Sequence, residues 1–189
     1  GYTNLQWYIY LLMNGYKNLN GVLEEYAKYV IQQSKTNLTK DKKGGGNLYN
    51  SLSYDILVNN EDFLVDFLME DYGQFVDKGV KGKTSTYPET QAALSQFQYG
   101  SGTGKKGGLT KGIRQWVNKK KFQFRDKQGR FMSYESMTYI IARSIYNKGL
   151  KANLFFTRPF EKGLEKLPQE LYNAFVDDVD STIIISPNR

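Results

Sequence analysis

The sequence predicts an α+β fold: a twisted antiparallel sheet packed against a long N-terminal helix, with a basic, mainly helical and loop insertion and a C-terminal helix plus a short strand. Three observations predict it. Residues 20–39 place apolar side chains at three- and four-residue steps. Residues 47–69 switch to two-residue alternation. Residues 80–131 break both patterns with glycines, cations and scattered rings. With 189 residues, the chain reads as one domain, its core formed by 1–79 and 150–189 and its basic insertion by 80–149.

Taken in order, the apolar run "LQWYIYLLM" is nine residues long, too short to span a membrane, and lacks the basic leader and small-residue site of a signal peptide. It reads as a helix or strand packed on the body or on a partner. Leu23, Tyr26, Ala27, Val30, Ile31, Ser34 and Leu38 then form one helical stripe, which "KDKKGGGN" ends. "NLYNSLSYDILV" and "DFLVDFLMED" alternate as two strands, and "NNED" makes the hairpin turn. "YGQFVDKG" reads as a short helix with Gly79 just past its end.

From 80 to 112 the chain reads as irregular, long for a loop in a compact domain. "LTKGIRQWVNKKK" is expected to form a basic helix, and "FQFRDKQGRFM" a hairpin turning at Asp126–Gly129. A helix over "SYESMTYIIARSIYNKG" has Ser133 as N-cap and a stripe of Met137, Ile140, Ile141, Ser144 and Ile145. Pro159 suits the first turn of the next helix. Pro168 starts another segment, with Leu171, Phe175 and Val179 on one side, and "STIIIS" reads as the short terminal strand. "DKGVKGKTS" and "NKGLKANLF" echo each other, as two similar helix exits.

The chain has no His and no Cys. Zinc and iron–sulfur sites lose their usual ligands, and Cys nucleophiles and His-based triads are excluded. Acid–base chemistry would fall to Asp, Glu, Lys or Tyr. Gly82-Lys83-Thr84 matches the end of a P-loop, but the glycine required five positions earlier is Asp77, and a helix rather than a strand precedes it. Gly102 to Gly107 satisfies G-x-G-x-x-G, with Asp126 at the distance of a ribose ligand, yet no βαβ series surrounds it. No cofactor is expected. Glu61, Asp62, Asp66, Glu70 and Asp71 would be the carboxylates of a metal-dependent nuclease, and also suit a solvated strand face.

The charge pattern is stronger. Net charge is +7, but residues 80–131 carry twelve cations against two acids, +10, leaving −3 for the rest. The cations are Lys81, Lys83, Lys105, Lys106, Lys111, Arg114, Lys119, Lys120, Lys121, Arg125, Lys127 and Arg130, interleaved with Tyr87, Phe97, Tyr99, Trp116, Phe122, Phe124 and Phe131. Such a segment suits a nucleic-acid backbone or an acidic protein surface.

Three segments carry a resemblance: Gly46-Asn47-Leu48-Tyr49-Asn50-Ser51-Leu52, Tyr72-Gly73-Gln74-Phe75-Val76-Asp77-Lys78-Gly79, and Arg158-Pro159-Phe160. Together with the long helix before them, they resemble the neck and tail-completion (tail-terminator-like) proteins of tailed bacteriophages. The departures are Asp77 for Glu, an extra Lys78, and an insertion of about 70 residues, far beyond ordinary loop lengths. The Asn-, Lys- and Tyr-rich composition is similar to that of phages of Bacteroidetes, crAss-like ones included.

The resemblance implies a non-catalytic virion protein, made in the host cytoplasm. It implies a homo-oligomeric ring of six or twelve copies at the head–tail junction, touching portal, neck or tail proteins, with DNA in its lumen and no membrane. Tyr72, Phe75, Val76, Pro159, Phe160, Ile183, Ile184 and Ile185 would be its ring-contact or core residues. A small non-specific DNA-binding protein and a metal-dependent nuclease are the alternatives.

Overall fold

The computed structural model describes residues 16–41, 43–58, 63–84, 95–101, 107–121 and 123–185. "LQWYIYLLM" and the "NNED" turn lie outside them. The fold is α+β, and the chain divides into two compact units: Gly1–Gly73 with Phe155–Arg189, and Gln74–Leu154. The boundary falls outside "QFVDKG" and "KANL" because the backbone ties these two segments together. The Asn153 amide donates to the carbonyls of Val76 and Asp77, both at 3.1 Å, and that of Leu154 to Asp77 at 2.9 Å.

Unit 1 is built on α1, Lys17–Lys40, which buries the expected stripe and Leu19 as well. Its first turn lacks a local side-chain cap. Asp178, distant in sequence and only 2% exposed, supplies one instead, its two carboxylate oxygens accepting the amides of Asn18 at 2.9 Å and Leu19 at 3.0 Å. This answers two of the four orphan donors of the helix start and sets a negative charge at the positive end of its dipole.

The strand expected from residue 47 begins later, because Asn47–Ser51 is a short helix, α2. Ser51 fixes it: its hydroxyl donates to the Leu48 carbonyl at 3.1 Å and accepts the Glu70 amide at 3.0 Å. β1, Ser53–Val58, and β2, Phe63–Leu68, then pair antiparallel, with Tyr54 opposite Phe67 and Ile56 opposite Val65 on the face toward α1. Phe67 enters an aromatic cluster with Tyr26, Phe156 and Phe160, ring centroids 5.3–6.1 Å apart and mostly edge-to-face.

Phe156 and Phe160 come from the start of α6, Thr157–Leu164, and α7, Leu167–Ile185, closes the unit against α1. The terminal strand expected at "STIIIS" is helix as far as Ile185. A β-branched run continues a helix that is already formed, since β-branching costs only tenths of a kcal/mol per residue.

In unit 2, α3 (Gly73–Lys78) leads into β3, Val80–Lys81. β3 pairs antiparallel with β4, Gly149–Leu150, and the Lys81 backbone bonds on its other edge to Phe97 and Tyr99. Between them lie α4, Gly108–Lys120, and α5, Tyr134–Lys148, which pack together with Val117, Met137, Thr138 and Ala142 buried. Ser133 caps α5 as expected, its hydroxyl accepting the Ser136 amide at 3.1 Å. The buried face of α5 is rotated from the predicted stripe: Thr138 and Ala142 are inside, while Ile140 and Ser144 are exposed. No helix among the described residues is long and apolar enough to cross a membrane.

Two measurements check the organisation of unit 1. Asp178→Ala is expected to cost about 2 kcal/mol of stability in urea unfolding, and Asp178→Asn less, because an amide keeps one acceptor oxygen. Burial pushes the Tyr26 phenol, which donates to the Phe160 carbonyl at 3.3 Å, up to about 12 from 10.0. A raised phenol favours its protonated form in the fold, so its contribution is complete below pH 10 and is lost as pH rises through about 12. Tyrosinate absorbance should show a late-ionising ring that Tyr26→Phe removes.

Candidate interaction surfaces

The echo between "DKGVKGKTS" and "NKGLKANLF" is a physical pairing. Gly79 and Gly149 both end helices at positive φ; the residues after Gly79 form β3 and Gly149 itself begins β4, with Val80 opposite Leu150 and Lys81 opposite Gly149. Gly149 lies against the neighbouring backbone so closely that a Cβ would collide with the Val80 carbonyl and the Gly82 amide.

The same pairing decides the Gly82-Lys83-Thr84 segment. The Lys83 amide donates to the Tyr146 carbonyl at 2.9 Å, and the amide and hydroxyl of Thr84 both donate to Asn147, each at 3.2 Å. These are carbonyls of the last turn of α5, which have no partner inside the helix. The Lys83 ammonium sits 5.8 Å from the Tyr146 ring centroid, beside the negative end of the helix dipole. A P-loop turns such amides toward a phosphate. Here they are engaged by a helix C-terminus.

Unit 2 as a whole holds sixteen Lys and Arg against four Asp and Glu, +12, and unit 1 ten against fifteen, −5. Of the predicted cations, Lys111, Arg114, Lys119 and Lys120 are exposed on α4, with Lys121 at its end. Lys83 is exposed and Lys81 half-buried, while Lys105 and Lys106 lie outside the described residues. Arg125, Lys127 and Arg130 stand on the hairpin, where the Arg125 guanidinium donates to the Gly129 carbonyl at 2.7 Å and Asp126 shapes the turn. Its carboxylate accepts the amides of Arg130 and Gln128, both at 2.9 Å, and the Arg130 guanidinium at 3.2 Å. The Arg130 amide bond, first among these, holds the Asp126 carboxyl below its ordinary range. Arg125 lies 4.1 Å from the Phe131 ring centroid. The hairpin starts against α5, where the Phe124 amide meets the Met137 sulfur at 3.3 Å.

The four acids of unit 2 do little to offset this charge. Asp77 is buried, Asp126 faces Arg130, Glu135 lies 3.6 Å from Arg114, and Glu89 is outside the described residues. Exposed rings accompany the cations: Trp116, Phe124, Phe131 and Tyr139.

Glu61 and Asp62 lie outside the described residues, and Asp66 stands on the outer hairpin face opposite Asp55. Among the described residues no group of three or more acidic side chains is placed to hold a metal ion. Of the proposed ring contacts, Pro159 is buried and Phe160 packs on the unit 1 core, so both are core residues. Tyr72 and Phe75 are partly exposed, the Phe75 ring 4.5 Å from that of Phe97, and Val76 is half-buried. Ile183, Ile184 and Ile185 lie in the last turn of α7.

Sequence reasoning missed an apolar surface that is exposed among the described residues of unit 1, where the Tyr16 ring stacks on that of Phe175. α7 packs through Leu167, Leu171, Ala174 and Asp178, and exposes Tyr172, Phe175, Val176 and Val179, so the expected grouping of Leu171 with Phe175 and Val179 divides. The signal was present: apolar residues cover more than half the circumference of this helix, wider than one packed stripe requires. The outer hairpin face adds Leu57, Leu64 and Leu68, each about half exposed. The depression between α1 and α7, about 530 Å³, is an open groove bordered by Lys17, Glu25, Glu170 and Asp177.

No family model, curated protein or solved structure matches the chain.

A pair of glycine substitutions tests the close approach in unit 2. Gly149→Ala should lower stability by more than about 2 kcal/mol, since φ +85 with extended ψ belongs to glycine and the backbone opposite cannot yield. Gly21→Ala, inside α1 with nothing within 4 Å, should instead raise thermal stability slightly.

Proposed function

We propose that this chain is a structural virion protein without catalytic activity. In this reading it is a subunit of a ring at the phage head–tail junction, joining portal-side and tail-side components around the DNA channel. The observation that carries the reading is the apolar surface of unit 1. Tyr172, Phe175, Val176 and Val179 stand exposed at i, i+3, i+4 and i+7 of one helix, beyond what isolated surface residues need. Two such faces exposed among the described residues, on α7 and on the hairpin, suit contacts with further protein. The three motif segments described above supply the phage context, and six or twelve copies remain the expected ring.

A second reading rests on the +12 of unit 2: non-specific DNA binding through α4 and the Asp126 hairpin. Light scattering and electron microscopy on the full chain separate the two. The ring reading expects a closed particle of six or twelve copies with a central channel. A protein that stays monomeric at every concentration would sink it. If that monomer binds duplex DNA with log affinity falling by about 0.9 per phosphate contact for each tenfold rise in salt, the second reading takes its place.

A further inference from the structure

Two exposed helix faces, one in each unit, have complementary chemistry. On α7, Val176 and Val179 lie with Tyr172 and Phe175 on one arc, and the next row around the helix is acidic: Glu170, Asp177 and Asp180. On α5, Tyr139 and Ile140 are exposed by 61% and 47%, and Arg143 lies between them on the same arc. Glu135, the one carboxylate of α5, stands one turn before Tyr139 at the edge of that arc, 3.6 Å from the Arg114 guanidinium, which offsets its charge. α7 thus presents apolar groups edged with negative charge, and α5 presents apolar groups around the cation Arg143, with its one acid paired to Arg114.

The charge division selects how copies would meet. An α7-to-α7 contact would align two acidic rows and bring together units that each carry −5; an α5-to-α5 contact would bring together two units at +12. Like charges brought together cost energy, several kcal/mol at a desolvated contact. A contact between α7 of one copy and α5 of another lets Tyr172, Val176 and Val179 cover Tyr139 and Ile140, while Asp177 and Asp180 face Arg143.

We infer that this is the self-association contact of the protein: α7 of one copy docks on α5 of the next, head to tail. The inference rests on the ring reading and deepens it. A head-to-tail contact leaves one free face of each kind on every added copy. It therefore propagates, closing into a ring when the rotation per copy allows, whereas a two-fold contact stops at a dimer.

Two full-length variants test it. Val176→Glu with Val179→Glu spoils the α7 face, and Ile140→Glu with Arg143→Glu spoils the α5 face. All four positions are exposed, and glutamate keeps helix propensity. Each variant alone should be monomeric by light scattering while the unchanged chain assembles. Mixed one to one, they should form a heterodimer and nothing larger, because one intact contact remains. Heterodimer formation also shows that both variants are folded. If the α5 variant assembles as the unchanged chain does, the contact is α7 on α7 and the inference is overturned. If neither variant alters assembly, the contact lies elsewhere and the ring reading survives without it. An unchanged chain that never assembles overturns both.

Discussion

The carboxylate of Asp178 on the start of α1 is the constraint on which unit 1 depends. It joins residues about 160 positions apart in sequence, and both its oxygens are committed to backbone amides. α1 carries most of the buried apolar residues of the unit, and its first turn has no side-chain cap of its own. A buried charge without partners would be costly, so α7 can bury Asp178 only where those amides wait for it. The bond therefore sets the position of α7 along α1, and α7 in turn decides which of its arcs is packed and which faces outward. The same interaction that completes the core leaves Tyr172, Phe175, Val176 and Val179 at the surface.

Unit 2 rests on a related device at the other kind of helix end. The last carbonyls of α5 are met by Lys83 and Thr84, and Gly149 lets β3 and β4 approach closely enough for those bonds to form. A phosphate loop and a helix C-terminus both recruit backbone amides from glycine-rich chain, so short motifs of this kind cannot say which will occupy them. What decides is whether a carbonyl or an anion stands opposite. At Gly82-Lys83-Thr84 it is a carbonyl.

Much of the fold is legible in the sequence where one periodicity dominates. The α1 stripe, the Ser133 cap and the Asp126 turn all follow from local chemistry, and each stands where that chemistry puts it. Local chemistry fails where a distant partner decides. "NLYNS" is helical because Ser51 bonds to Glu70 across the hairpin, and the isoleucines of "STIIIS" are helical because α7 is already built when the chain reaches them. The rotated face of α5 has the same origin, since α4 selects which arc it covers. The basic surface was legible as charge, yet its partition into a +12 body and a −5 body needed the division of the chain.

That partition bears on stability as well as on association. A body with sixteen cations and four acids repels itself, and counterions offset only part of the cost at physiological salt. Within unit 2 the available carboxylates are used locally, Asp126 to shape a turn and Glu135 to face Arg114, so they cannot neutralise the remainder. A polyanion or an acidic protein face would relieve the remainder. The acidic row beside the exposed arc of α7 is one such face made by this same chain. Because it stands next to apolar groups, a contact there combines charge relief with burial of apolar area, whereas a phosphate backbone would relieve the charge and leave those side chains in water. On these grounds the exposed apolar arcs, more than the charge alone, favour a protein as the partner of this face.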